Sequence, residues 1–373
     1  MISTAFLCGS MARSPSSFQA PSKRPWLVSS FSCPVPEIAL RTRSTSEKVP
    51  VASTMAKISS TDLNVYPTAL GGNVFGWTAN EKDSFAVLDG YAAAGGNFID
   101  TADAYSAWAP GNSGGESEII LGRWMASRGR RDQTIVATKV GKHPQYQGLS
   151  AKTILAAAEN SLNRLGTEYI DLYYAHADDE KTPLEETLGA FDVLVREGKV
   201  RYIAASNYSG PRLAKALQTS DREGFPRYVA LQQHYNLMER HLYEGELADL
   251  VAKEGLSSIP YFALASGFLT GKYRPGAKVQ SHRAQTAGSY LNEKGIKVLA
   301  ALDAVAATHN AAIATIALAW LAAQPTVVAP IASARTTEQL PDLLSVSEVR
   351  LSDAEIHKLN EASAPAGGNG SSS

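Results

Sequence analysis

Between residues 56 and 363 short apolar runs alternate with amphipathic ones, and this alternation predicts the elements. Continuously apolar runs of four to eight residues read as strands, and runs with apolar positions three and four apart read as helices. A small hairpin is expected from 57–58 and 63–66. Eight strands are expected at 68–70, 97–102, 134–140, 170–176, 200–206, 228–233, 258–263 and 326–331. Helices are expected at 81–94, 116–127, 150–165, 184–196, 211–219, 242–253, 292–308, 311–323 and 337–344, with a terminal helix at 353–361.

Apolar strands alternating with helices mean a parallel sheet covered by helices. Eight of them over roughly 280 residues fit a (β/α)8 TIM barrel with a short N-terminal hairpin and a C-terminal helix. A doubly wound sheet is the alternative, but it calls for a G-x-G-x-x-G turn after an early strand. The nearest candidate, Gly71-Gly72-Asn73-Val74-Phe75-Gly76, has the wrong spacing.

Residues 1–55 break the pattern. They hold twelve serines and six Lys/Arg, against only Glu37 and Glu47, and show no sustained period. An acid-poor, Ser- and Arg-bearing start resembles an organelle transit peptide, with plastid ahead of mitochondrion and cytoplasm. The alternative is a tail with no address. The two cysteines, Cys8 and Cys33, lie in this segment, so the barrel at 56–363 has no thiol chemistry. Residues 364–373 have the composition of a disordered end.

The formal net charge of -1 gives no basic field for nucleic acid or a membrane surface. The most apolar stretch, 311–323, is one core helix long, too short for a bilayer. The seven histidines show no paired ligand spacing, so no metal is expected. A monomer or weak homo-oligomer is expected.

Four strand ends carry the candidate chemistry. Asp100 and Tyr105 follow one, Lys139 ends the next, His176 the third, and Ser206-Asn207 the fourth. Singly, each has an ordinary reading: a turn carboxylate, a rim phenol, a solvated lysine, a packed histidine. Together they fall on the barrel face where active groups gather. They also have a joint use. A phenol has a pKa of about 10, and a nearby ammonium is expected to lower it. Lys139 could supply that ammonium, Asp100 could orient it, and His176 could donate to a carbonyl oxygen.

At this point the chain resembles the aldo-keto reductase superfamily. The resemblance rests on Phe98-Ile99-Asp100-Thr101-Ala102 with Tyr105, then Gly115-Glu116-Ser117-Glu118, Thr138-Lys139 and His176. It continues through Gly198-Lys199-Val200-Arg201, Ser206-Asn207, Gln232 with Tyr235-Asn236, and Leu269-Thr270-Gly271-Lys272-Tyr273. It covers residues 57 to 363. It implies a catalytic tetrad of Asp100, Tyr105, Lys139 and His176, with Tyr105 as proton donor, acting on a small carbonyl substrate.

The resemblance further implies NADPH/NADP+ bound without a Rossmann domain. Ser206, Asn207 and Gln232 match the carboxamide contacts, and amide or hydroxyl side chains suit that group. Tyr261 matches the ring that stacks on the nicotinamide. Phe262, Leu264, Ser266, Gly267 and Lys272 match the pyrophosphate side. Ser333, Arg335, Gln339 and Asp342 match the adenosine end. Arg335 is either a 2′-phosphate contact or a solvated residue at a helix start. Leu343 stands where the family often has Asn. Ala177-Asp178-Asp179 after His176 suggest a roomier pocket. Trp77 and Trp108 are substrate-lining candidates or simply loop packing. The alternative function is an NADP(H)-sensing subunit of channel-β-subunit type.

Overall fold

The computed structural model describes residues 55–364. The transit-peptide segment and the tail beyond residue 364 therefore lie outside the described residues, with Cys8 and Cys33. The hairpin forms from β1 (Ala56–Lys57) and β2 (Asn64–Val65), paired antiparallel. β3 (Ala69–Gly71), β4 (Phe98–Asp100) and β5 (Ile135–Val140) follow. Beyond β5 a tiny antiparallel pair, β6 (Lys142–His143) and β7 (Tyr146–Gln147), stands at the strand's end. β8 (Ile170–Ala175), β9 (Val200–Ser206), β10 (Tyr228–Gln232), β11 (Ser257–Ser258) and β12 (Ile331–Ala332) complete the set.

The eight barrel strands pair in parallel in the order β11-β10-β9-β8-β5-β4-β3-β12. Backbone bonds bring the two ends of that series together. Ser258 N–H donates to Thr326 O at 2.8 Å, Val328 N–H to Ser258 O at 3.1 Å, and Ile331 N–H to Pro260 O at 2.8 Å.

The helices are α1 (Glu81–Ala93), α2 (Glu116–Arg128), α3 (Ala151–Leu165), α4 (Leu184–Arg196), α5 (Gly210–Glu223) and α6 (Glu246–Lys253). After them come α7 (Ala284–Gly288), α8 (Glu293–His309), α9 (Ile313–Ala322), α10 (Leu340–Leu344) and α11 (Asp353–Ala362). Local signals set many starts. Asn80, Ser150, Ser209 and Asn292 each accept a backbone N–H of the first turn. Ser352 and Glu355 form a capping box.

Side chains alternate faces along each strand. Val136, Ile99, Tyr173 and Ile203 point outward into the layer shared with the helices. Phe98, Ala137, Leu172, Tyr174, Ala204 and Ala230 point inward and fill the barrel. Ile58, Leu63 and Val65 of the hairpin join that inner cluster. They plug the end where the strands begin: Tyr66 N–H donates to Asn97 Oδ1, and Asn97 Nδ2 to Asn64 O.

Several expected boundaries move. The strands expected at 258–263 and 326–331 shrink to β11 and β12. Pro260 and Pro330 offer no N–H, and Phe262 and Thr326 have φ of 52° and 66°, outside strand geometry. The helix expected from 242 starts at Glu246, because Gly245 sits at φ 89°. The 337–344 helix divides into a 3-10 turn, Thr337–Gln339, and α10. β6, β7, α7 and the 3-10 turn Ala265–Thr270 have no counterpart in the sequence reading.

Candidate active site

The inward parity of the strands continues to their last residues. Two positions past Phe98 comes Asp100, two past Ala137 comes Lys139, and two past Tyr174 comes His176. Ser206 follows Ala204, and Gln232 follows Ala230. The register lays these ends side by side, with Asp100 opposite Ala137, Lys139 opposite Tyr174, and Ser206 opposite Gln232. A single polar layer therefore caps the apolar barrel interior.

Lys139 is completely buried, yet all three of its N–H donors are used. Nζ reaches Asp100 Oδ2 at 2.7 Å, Thr101 O at 2.8 Å and Tyr105 Oη at 2.9 Å. Tyr105 Oη in turn donates to Asp100 Oδ2 at 3.1 Å. The other carboxylate oxygen accepts from Gln232 Nε2 at 2.8 Å. A buried charge needs this degree of pairing to persist. Burial pulls the Lys139 ammonium below its ordinary value, while Asp100 opposes the shift.

The phenol departs from expectation. Tyr105 is held well above its ordinary value, by burial first and by the Asp100 charge second. Lys139 does touch it, but Asp100 lies against the same oxygen. Tyr105 therefore stays protonated at neutral pH, with its proton directed at Asp100. His176 stands beside it, with ring centroids 6.1 Å apart. Burial, then the Lys139 and Lys142 charges, push the imidazole well below its ordinary value, so it is neutral. Its Nδ1 is buried without a partner.

A cleft of about 540 Å³ opens above this layer. Asp100, Tyr105 and His176 form its floor, and Lys139 lies just beneath. Every residue assigned in the sequence to the cofactor or the substrate lines it: Ser206, Asn207, Gln232, Tyr261, Phe262, Leu264, Ser266, Gly267, Lys272, Ser333, Arg335, Gln339, Asp342, Trp77 and Trp108. Several are tied to one another. Asn207, at φ 57°, donates to His176 O and Ser206 Oγ, and accepts from Tyr261 Oη at 2.7 Å. Tyr261 stacks on His234, with 27° between the rings. Ser333 Oγ donates to Asn73 Oδ1, and Gln339 Oε1 caps the Arg335 N–H.

The wall from 262 to 267 is strained. Phe262, Ala265 and Ser266 have φ of 52°, 46° and 57°, and Gly267 has 92°. Non-glycine residues in this region are uncommon, and a cluster of them is typical of ligand-holding loops.

Sequence reasoning missed Arg283, His282, Ser281 and Lys142, which also line the cleft. Arg283 belongs to a segment with no expected element, and its only sequence signal is being a basic residue there. Burial and the Arg335 charge lower the Arg283 guanidinium, and burial with Arg335 and Arg283 lowers Lys272. Three mutually repelling cations thus share one wall, and none has a carboxylate within ion-pair reach among the described residues. Asp178 and Asp179 do not line the cleft. Asp178 pairs with Arg212 at 2.8 Å, and Asp179 binds the Leu149 N–H and Thr182 Oγ1.

Comparison with known proteins places the chain in a family. The Aldo/keto reductase family model matches residues 68–364. The chain is 34% identical over 313 residues to the uncharacterized oxidoreductase YrpG of Bacillus subtilis, covering 82% of this chain and 94% of that protein. It is 33% identical over 316 residues to the norsolorinic acid reductase stcV of Emericella nidulans, covering 80% and 78%. It is 31% identical over 285 residues to a probable voltage-gated potassium channel subunit beta of Oryza sativa, covering 74% and 85%.

Proposed function

The chain belongs to the aldo/keto reductase family, and from that premise we propose that it reduces an aldehyde or ketone to an alcohol with NADPH, Tyr105 giving the proton. Oxidoreductase chemistry and a nicotinamide cofactor are the family's common ground. The observation that carries the finer reading is the Lys139–Tyr105–Asp100 triangle on the floor of a cleft whose wall holds three unpaired cations.

The residues fit the cofactor. Lys272, Arg283 and Arg335 suit its phosphates, and the left-handed backbone at 265–267 allows close approach to an anion. Ser206, Asn207 and Gln232 offer polar groups to its carboxamide, and Tyr261 offers a ring face held in place by Asn207. When bound, NADPH supplies hydride to a carbonyl carbon.

The chain's own residues manage the proton. Neutral His176 donates to the carbonyl oxygen and orients it. The Tyr105 O–H turns from Asp100 Oδ2 toward that oxygen and releases its proton there. The Lys139 ammonium, 2.9 Å away, then stabilises the phenolate left behind. Burial keeps water from competing for that proton.

The test is NADPH consumption with an aromatic aldehyde, run beside Tyr105→Phe. Aldehyde-dependent consumption that vanishes in a variant still binding NADPH supports the reading. Loss of both activity and NADPH binding in a folded variant counts against the assigned role. Likeness to the rice channel subunit supports a second reading, a barrel that senses NADP(H) for a partner. Cofactor oxidised once without turnover, with a stable complex recovered from extracts, favours that one. The plastid address of residues 1–55 is likewise a proposal. Fusing them to a fluorescent protein tests it, and a cytoplasmic signal would sink it.

A further inference from the structure

One cation of the cleft is not accounted for by the cofactor. Lys142 lies on the rim just past β5, held there by the β6–β7 pair, where it stands opposite Gln147. That pair is anchored by Gly148 N–H on Gly141 O at 3.0 Å and Leu149 N–H on Asp179 Oδ2 at 2.8 Å. The backbone that carries Lys142 is therefore held by a built turn rather than by a free loop.

Lys142 has no anionic partner among the described residues, and partial burial alone lowers it from its ordinary value. The nearby acids face elsewhere, Asp178 to Arg212 and Asp179 to the Leu149 N–H and Thr182. Its charge acts on Lys139 and His176, lowering both. Lys272, Arg283 and Arg335 act on one another, and Arg283 also acts on Tyr105 and stands over the Trp77 ring at 5.8 Å. Lys142 is thus a cation of the cleft apart from the three that act on one another, on the side of Lys139 and His176.

The same end of the cleft is aromatic. Trp77 and Trp108 meet at 90° with centroids 5.6 Å apart. Trp108 stands 6.1 Å from Tyr105, and His282 stands 5.6 Å from Trp77. Trp108 is 51% exposed and lines the cleft. Perpendicular rings beside the donor phenol form a corner that suits a flat, conjugated molecule.

Resting on the reductase reading, we infer that the substrate is a planar aromatic or conjugated carbonyl compound bearing an anionic group, and that Lys142 reads that group. The carbonyl lies at Tyr105 and His176, the ring in the Trp77–Trp108 corner, and the anion at the rim.

The test compares 4-carboxybenzaldehyde with its methyl ester, which keeps the ring but not the charge. The ester withdraws electrons more strongly, which by itself favours the ester in turnover and not in binding. The full-length protein and Lys142→Met are used, with Lys215→Met, exposed on α5, as the control. Turnover is read from NADPH absorbance. Binding of 4-carboxybenzyl alcohol and its methyl ester to the NADP+-loaded protein is read by calorimetry. The acid should exceed the ester by about tenfold in kcat/KM and in affinity, the scale of one charge-assisted contact. Lys142→Met should bring that ratio near one, and Lys215→Met should leave it in place. Equal handling of acid and ester by the unaltered protein overturns the inference. So does a preference that survives Lys142→Met. A binding preference lost in Lys142→Met without any turnover upholds the anion subsite and overturns the reductase reading alone.

Discussion

The two walls of this cleft are made by different means. The floor is borne on strand ends, where each of Asp100, Lys139, His176, Ser206 and Gln232 follows an inward core residue by two positions. The opposite wall is borne on 261–283 and 331–343, with left-handed backbone at Phe262, Ala265 and Ser266 and three cations that repel one another. On the floor Lys139, Asp100 and Tyr105 are bonded to one another while His176 Nδ1 has no partner, and the loop wall carries positive charge with no carboxylate beside it. The two hydrogen bonds at Tyr105 Oη hold the proton donor in place. A charged, strained wall waits for an anionic ligand to complete it.

The sharpest way to break the contrast is Lys139→Met. It leaves Asp100 buried without its cation, which should cost about 3–5 kcal/mol of stability in chemical denaturation. Turnover should fall with it. Undiminished stability would mean that the floor is not the electrostatic keystone described above.

Tyr105→Phe separates chemistry from structure on the same floor. Turnover should drop by about 10²- to 10⁴-fold, the usual weight of a general acid, with denaturation nearly unchanged. On the loop wall the effects should fall on binding. Arg335→Leu should weaken NADPH by about tenfold or more, as one charged contact is lost, while leaving both NADH binding and the melting temperature near their original values. Fluorescence quenching reads both affinities, and equal weakening of the two would remove Arg335 from the 2′-phosphate.

The pH dependence sharpens the floor. His176 is depressed in the folded chain, so the unfolded chain takes up its proton first. The contribution of His176 is fully present above about pH 6.5 and is lost as pH falls toward the folded value, at no more than about 1.4 kcal/mol per pH unit. His176→Gln should therefore lose less stability than the unaltered protein on acidification below that point. A parallel decline in both would contradict the neutral imidazole.

The smallest effect belongs to the strained wall. Ser266→Gly relieves a left-handed residue at φ 57° and should raise stability by about 1 kcal/mol or less. A melting temperature that falls instead would mean that the Ser266 side chain holds the turn in place.

Much of the floor was legible in the sequence. Strand runs 134–140, 170–176 and 200–206 nearly coincide with β5, β8 and β9, and their terminal polar residues do converge. The ends of the barrel were less legible, because Pro260 and Pro330 interrupt what read as continuous apolar runs. Two features needed three dimensions. The phenol was expected to be lowered by Lys139, but Asp100 sits against the same oxygen and burial adds to it, so the shift runs upward. Arg283 and Lys142 carried no motif and entered the site through the placement of loops.

By itself the sequence determined the strand parity, the helix starts and which polar residues end each strand, because a period of two and a capping side chain act over a few neighbours. Only the tertiary structure decided the sign of the Tyr105 shift, the direction each polar group faces and the company of the cations. Those depend on contacts such as Ser333 with Asn73, made between residues 260 positions apart, and no local pattern encodes a distance of that kind.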